Sequence, residues 1–362
     1  MNKETITDKQ GISILVLFLC GSTLIFDTGT GAKEDIWLAI IIAFLCAFVM
    51  AMLYARVLSI FPGKDIFDIL IIAFGTVIGR VLCLFYVFFS IHLASLVLYN
   101  FEEFITIAAL SDTPALVPLV TTMLLIIWII KSGIKVLGNW SEFFVVILVV
   151  LVFLTLPFFI PIAKIENLKP FLYNGIQPVL DGALLSFTFP FTEIVVFLGV
   201  GAALKNKKSP YKVYALGLAF GALIIFSSAV MHMMVLGGEN MGRTFFPPYR
   251  SYKLINIREF FTRIEIVIGA ALIIGGFVKI SVCLFSACRG LCKVFAIDNY
   301  KVIATPICIL ATIISTTNFT GVLELVEWDN TVWIWYSLFF EVVLFLFVLI
   351  GVEIKVRIRK RS

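Results

Sequence analysis

Two hydrophobic segments, about half a chain apart, are each broken by polar residues. The first reads Gly21-Ser22-Thr23-Leu24-Ile25-Phe26-Asp27-Thr28-Gly29, and the second Ser186-Phe187-Thr188-Phe189-Pro190-Phe191-Thr192-Glu193. In hydrocarbon, a backbone N–H or C=O released from a helix costs several kcal/mol unless protein, water or ligand satisfies it. Interrupted helices at corresponding places in two halves of a chain are the best sequence pointer to a binding site at the bilayer midplane.

The rest of the chain fits that setting. It is 61% hydrophobic and 14% charged, with a mean hydropathy of +1.08 over 362 residues. Soluble domains do not look like this, whereas polytopic helical membrane proteins do. Ten spans are expected, at about 12–32, 36–60, 78–101, 116–131, 142–162, 183–203, 213–236, 262–288, 302–319 and 332–353. Each is near the ~20 residues that cross a bilayer. The first apolar run lacks a small-residue cleavage signature and reads as a retained span rather than a removed signal peptide.

Charge gives the orientation. Loops after odd spans carry Lys33-Glu34-Asp35, Glu102-Glu103, Glu166, Glu239 and Glu324 through Asp329. Loops after even spans carry Arg56, Lys64, Lys131, Lys135, the Lys205 to Lys212 cluster, Arg289, Lys293 and Lys301, and the C-terminus ends in Lys355 through Arg361. Most of the basic residues thus share one side with both termini, which is cytoplasmic by the positive-inside rule. The loop Gly237 to Phe261 is the exception, with Arg243, Arg250, Lys253, Arg258 and Phe245-Phe246-Pro247-Pro248-Tyr249. It reads as an interfacial helix with snorkelling bases or as a lid on the outer face.

The breaks have a readable chemistry. In the first, Gly21 permits close backbone approach, and Ser22, Thr23, Thr28 and Thr30 can satisfy freed backbone groups or a ligand. A half-helix N-terminus suits a carboxylate and a C-terminus an ammonium; an amino acid carries both. Asp27 either holds a cation or ammonium, or ends the helix as a hydrated cap. In the second, Pro190 removes a donor and kinks the helix, with Thr188 and Phe189 beside it. Glu193 lies at hydrocarbon depth and reads as a structural ion pair or as a proton-linked group beside the site. Lys279, deep in the eighth span next to Val278, requires a partner, with Glu341, Glu193 and Glu265 as the available acids. A site-organising or proton-linked role is favoured over a purely structural pair. His92, with Ser95 and Tyr99, shares a face of the third span, and His92 and His232 each read as hydrogen-bonded packing histidines. The seven cysteines read as packing residues. No metal site, cofactor motif or catalytic motif is legible, and an enzyme reading is poor.

The order of these pieces resembles the bacterial spore germination permease-like proteins, the B-type subunits of germinant receptors, which are similar to amino acid–polyamine–organocation transporters. The resemblance is carried by Gln10-Gly11-Ile12-Ser13, the Gly21 break with Asp35-Ile36-Trp37-Leu38, Phe61-Pro62-Gly63-Lys64, Thr113-Pro114 and Gly133-Ile134-Lys135 with Glu142. It continues through Leu168-Lys169-Pro170, Gly175-Ile176-Gln177-Pro178, the Glu193 segment, Phe246-Pro247 and Phe260-Phe261-Thr262-Arg263-Ile264-Glu265. Relatives often carry Leu-Pro where this chain has Phe26-Asp27.

The resemblance implies an all-α membrane protein of ten transmembrane helices, a five-plus-five inverted repeat with broken first and sixth helices. The whole chain would form one transmembrane domain, with repeats at about 10–165 and 180–354. It also implies a small nutrient ligand, typically an amino acid, an inner spore membrane location, and an A-type membrane subunit and a C-type lipoprotein as partners. By position the pocket would draw on Gly21, Ser22, Thr23, Asp27, His92, Ser95, Thr188, Phe189, Pro190 and Val278, with Glu193 and Lys279 as its charges. The competing readings are a proton-coupled amino acid transporter and an ion or water conduit within a membrane complex.

Overall fold

A computed structural model describes residues 4–106, 114, 116–255 and 265–361. Thr113, Arg258 and the stretch Phe260-Phe261-Thr262-Arg263-Ile264 lie outside the described residues, as does the Glu265 side chain.

The first helix, α1 (Asp8–Thr23), begins at a reciprocal cap. Gln10 N–H donates to the Thr7 hydroxyl at 3.2 Å, and Thr7 N–H donates to the Gln10 side chain at 2.9 Å. The two bonds satisfy donors that a helix start leaves open. The first span was expected at about 12–32 with a break from Gly21, and the helix stops at Thr23. Leu24 to Gly29 is unwound, and only a 3₁₀ turn, Thr30–Asp35, leads into α2 (Ile36–Ile60). Gly29 has φ of +74°, a left-handed conformation that closes most side chains out of this position. A short helix not foreseen from the sequence, α3 (Ile66–Phe74), precedes α4 (Thr76–Phe104). Then come α5 (Leu116–Ser132) and α6 (Ile134–Phe159).

The second half repeats the interruption. Helix α7 (Gln177–Ser186) gives way to a wide turn, Phe187–Phe191, and then to a 3₁₀ helix, Glu193–Ala203. Phe189 at the centre is extended, with φ −135° and ψ 110°. Helix α8 (Ser209–Leu236) follows, then two short helices, α9 (Gly238–Gly242) and α10 (Pro247–Lys253), in the loop after it. The chain ends with α11 (Glu265–Phe295), α12 (Tyr300–Asn318), α13 (Val322–Trp328), α14 (Ile334–Leu338) and α15 (Leu344–Arg361). The last three run together through wide turns at Asp329–Trp333 and Phe339–Val343.

Eight stretches among the described residues are long and apolar enough to cross a bilayer, and Leu116–Ser132 is a shorter ninth. The interrupted α1 segment completes the ten expected spans. Burial sorts them into layers. The apolar window of α11 is 83% buried, against 22% for α6. Helix α11 packs on α4, α1, α6 and the 3₁₀ helix, and α1 also packs on α8. The broken segments therefore sit inside, and α6, α12 and α15 present apolar side chains outward.

Both ends of the chain meet at one end of the bundle. Ile6 N–H donates to the Ala203 carbonyl at 3.0 Å, the Ser59 hydroxyl donates to the Lys207 carbonyl at 2.8 Å, and Arg56 pairs with Glu353 at 2.5 Å. Asp65 caps α3 and accepts from Arg289 at 2.7 Å, and Lys293 pairs with Asp68 at 2.7 Å. These contacts tie α2, α3, α11 and α15 together there.

Candidate functional site

The two breaks touch. The Thr28 hydroxyl lies 2.8 Å from the Phe189 carbonyl and 2.9 Å from the Ser186 hydroxyl. The Thr28 hydroxyl is the donor, and its one hydrogen is shared between the Phe189 carbonyl and the Ser186 hydroxyl oxygen. One side chain from the first break thus satisfies a carbonyl that the second break removed from its helix. An unsatisfied group there would cost about 1–3 kcal/mol.

Between the breaks and α4 lies a cavity of about 430 Å³. Its floor is buried: Ser22 at the end of α1, Glu193 at the start of the 3₁₀ helix and Lys279 on α11. Phe189, Leu93, Val97 and Asn100 form its walls. The exposed Arg243 and Asn330, with Thr244 and Asp329, frame its mouth, at the end of the bundle away from the chain termini.

The floor is an ion pair. Lys279 Nζ donates to Glu193 at 2.6 Å and lies 3.5 Å from the Ser22 hydroxyl; neither charged side chain is more than 1% exposed. The ammonium also sits 5.3 Å from the Phe18 ring centre and 5.2 Å from that of Phe189, each within cation–π range. Of the three acids open from the sequence, Glu193 is the direct partner. Glu341 stands one layer away, its Oε2 at 2.6 Å from the Thr192 hydroxyl.

The other expected site residues fall into two groups. Ser22, Asp27, Phe189, Glu193 and Lys279 border the cavity. Gly21, Thr23, His92, Ser95, Thr188, Pro190 and Val278 lie in the packing behind it. At Gly21 a Cβ would stand 2.8 Å from the Gly275 carbonyl oxygen, so the glycine serves the close approach of α1 to α11. Thr23 donates back to Leu19 at 2.8 Å, and the Thr188 hydroxyl to Leu184 and Leu185 of its own helix. His92 Nδ1 meets the Tyr336 hydroxyl at 2.8 Å within a cluster of Phe88, Trp328 and Tyr336, and Ser95 donates to the His92 carbonyl. Pro190 and Val278 are buried. The α4 face that borders the cavity is offset from the expected one: Leu93, Leu96, Val97 and Asn100 rather than His92 and Ser95.

Asp27 takes a place that neither sequence reading foresaw. Its carboxylate accepts from His232 Nδ1 at 2.9 Å, and both side chains are 2% exposed. His232 stands against Phe159 and Tyr252, and the Tyr252 hydroxyl meets Thr155 at 2.8 Å. The first break is held on this side by α8, α6 and α10. Asn100, Arg243 and Asp329 were not singled out as site residues from the sequence. Thr28 was read there as a hydroxyl for freed backbone groups or a ligand, and it takes the Phe189 carbonyl.

Comparison with known proteins gives these features a context. The family profile described as "Spore germination protein" matches residues 5–320. Spore germination protein KB of Bacillus subtilis is 28% identical, over 100% of this chain and 98% of its own length. Spore germination protein A2 of the same organism is 22% identical over 80% of both chains. Among solved structures, MHP1, a nucleobase–cation–symport-1 family transporter held closed with bromovinylhydantoin bound, superposes with a TM-score of 0.69. It is 13% identical, over 93% of this chain and 76% of that one. A mutant of the manganese transporter of Eremococcus coleocola gives a TM-score of 0.65 at 12% identity, over 94% and 78%. Likeness at this level of identity establishes the fold, the inverted-repeat architecture of such transporters.

Proposed function

The chain belongs to the spore germination protein family, and we propose that it acts there as a nutrient-sensing, permease-like subunit of a germinant receptor. The observation that carries this reading is the cavity itself. It lies where two interrupted helices meet, it is open at one end, and a buried ion pair forms its floor. Its volume falls in the ~300–1,000 Å³ range of small-molecule sites.

The ligand class follows from the polarity of the breaks. The carboxyl ends of α1 and α7 point toward the middle of the bundle, where their partial negative charge favours an ammonium. Asn100 and the Lys279 ammonium supply donors for a carboxylate. Phe189, Leu93 and Val97 offer an apolar wall to a side chain. An amino acid fits this set. A ligand shifts a two-state fold only through its differential affinity for the two states, and the breaks are the elements that two states would distinguish. No loop among the described residues is long enough to form an output domain. The signal would therefore pass to partners, an A-type membrane subunit and a C-type lipoprotein, in the inner spore membrane with both termini on the core side.

The test is germination across a panel of amino acids, sugars and nucleosides in spores lacking only this chain. The expected result is loss of the response to one nutrient class, restored by the wild-type chain and not by Phe189→Ala. Unchanged germination to every nutrient contradicts the proposal. A second reading, amino acid transport, is favoured by the shared transporter fold and by the Lys279–Glu193 pair at the floor. Nutrient uptake into liposomes holding this chain alone supports it; binding without flux supports the sensor.

A further inference from the structure

Glu341 has no place in the cavity, yet its surroundings demand a proton. The residue is 0% exposed and sits in the wide turn Phe339–Val343 of the last span. Its Oε2 is 2.6 Å from the Thr192 hydroxyl oxygen, and that same oxygen is 2.8 Å from the Phe187 carbonyl. A threonine hydroxyl brings one hydrogen and two lone pairs. The Phe187 carbonyl also accepts from the Thr192 backbone N–H at 2.9 Å, but it has no hydrogen to give, so the 2.8 Å contact between the two oxygens takes the Thr192 hydroxyl hydrogen. The shorter contact then needs its own hydrogen, which only a protonated Glu341 supplies. Each short O···O distance is within the range of an O–H···O bond, and a hydrogen-free pair of oxygens at either distance would repel.

A charge count leads to the same place. The charged groups that act on Glu341 are Glu193 of the 3₁₀ helix and Lys279 of α11. Those two already neutralise each other at 2.6 Å. Among the described residues, the remaining titratable neighbours are the phenols of Tyr54 on α2 and Tyr336 on the last span, with Tyr86 of α4 and Tyr214 of α8 beyond Tyr54. The Tyr54 hydroxyl donates to the backbone carbonyl of Glu341, not to its carboxyl group. An ionised Glu341 would leave one uncompensated negative charge in the core of the bundle, which is far more costly than a neutral acid. Its Oε1 has no hydrogen-bond partner among the described residues, which a neutral carbonyl oxygen tolerates better than a carboxylate oxygen.

We propose that Glu341 is a proton-binding site, separate from the Lys279–Glu193 pair, that latches the break of the sixth span onto the tenth. With its proton, Glu341 donates to Thr192, Thr192 donates to Phe187, and the turn that sets Phe189 against the cavity is held at both ends. Without it, the carboxylate competes for the hydroxyl hydrogen with the Phe187 carbonyl, which keeps its bond from the Thr192 N–H, and the uncompensated buried charge drives Glu341 out of the core, which opens the latch. The proton thus stabilises the latched conformation, and loss of the proton at high pH favours its alternative. The site stands whether the cavity senses a nutrient or transports one.

Infrared spectroscopy of the purified full-length chain in nanodiscs reads this directly. The wild type at neutral pH is expected to show the carbonyl stretch of a protonated, hydrogen-bonded carboxylic acid that Glu341→Gln removes and Glu193→Gln leaves in place. A spectrum in which Glu341→Gln changes no such band, or in which Glu193→Gln alone removes it, overturns the proposal. Thr192→Val covers the case in which the Gln variant does not fold. It keeps the acid and deletes its acceptor, so the band is expected to move to the higher frequency of a free acid, and an unmoved band overturns the proposal.

Discussion

At the scale of single residues, the site is governed by what a buried charge or hydroxyl must find. Lys279 and Glu193 meet at 2.6 Å with almost no exposure. Removing one partner leaves the other uncompensated, and Lys279→Met is expected to cost about 3–5 kcal/mol of stability, read as a lowered melting temperature in detergent. The double variant Lys279→Met with Glu193→Gln is expected to recover most of that loss, since it removes both charges together. Thr28→Val is expected to cost about 1–3 kcal/mol, because the Phe189 carbonyl then lacks its donor. The need of Lys279 for an acid was legible in the sequence, because intramembrane lysine is expensive anywhere. Which acid was not legible: Glu193 and Glu341 lie 148 positions apart in sequence yet within one cluster. Their separate roles follow from Thr192, whose position between them is a matter of helix phase. Asp27 carries the same lesson, since its partner His232 lies 205 positions away.

At the scale of elements, the breaks were legible and their consequences less so. Glycine, proline and hydroxyl residues within apolar runs mark where a helix cannot continue, and both runs are interrupted at those places. Whether and how far a helix resumes beyond a break depends on tertiary contacts. Hence the break at Gly21 was legible, whereas the 3₁₀ turn Thr30–Asp35 that follows it was not. The role of Gly21 also turned on a partner element: it faces Gly275 of α11 across a gap that no Cβ fits. Gly21→Val and Gly275→Val are each expected to destabilise the chain by about 1–3 kcal/mol through overpacking. Thermal unfolding checks this, and a neutral outcome at both positions would show that α1 and α11 are less closely set. The offset of the α4 face, Asn100 for Ser95, has the same origin. An almost wholly apolar helix carries little amphipathic signal to fix its rotation.

At the scale of the whole molecule, composition and charge placement were enough for ten spans with both ends together, and the described residues join Ile6 to Ala203 and Arg56 to Glu353 at one end. By the positive-inside rule that end is expected on the cytoplasmic side. Single cysteines introduced at Lys207 and Thr244 in a chain whose natural cysteines are removed are expected to react with an impermeant maleimide from opposite sides, Lys207→Cys from the cytoplasmic one. The central claim is that a small nutrient occupies the cavity between the two breaks. The most direct measurement is equilibrium binding of the nutrient identified by the germination panel to the full chain in nanodiscs, with wild type compared to Phe189→Ala and the cavity-filling Val97→Phe. The account predicts roughly a tenfold or greater loss of affinity, about 1.4 kcal/mol, in both variants, with their melting temperatures close to that of the wild type. Undiminished binding in both would place the ligand elsewhere and contradict the account.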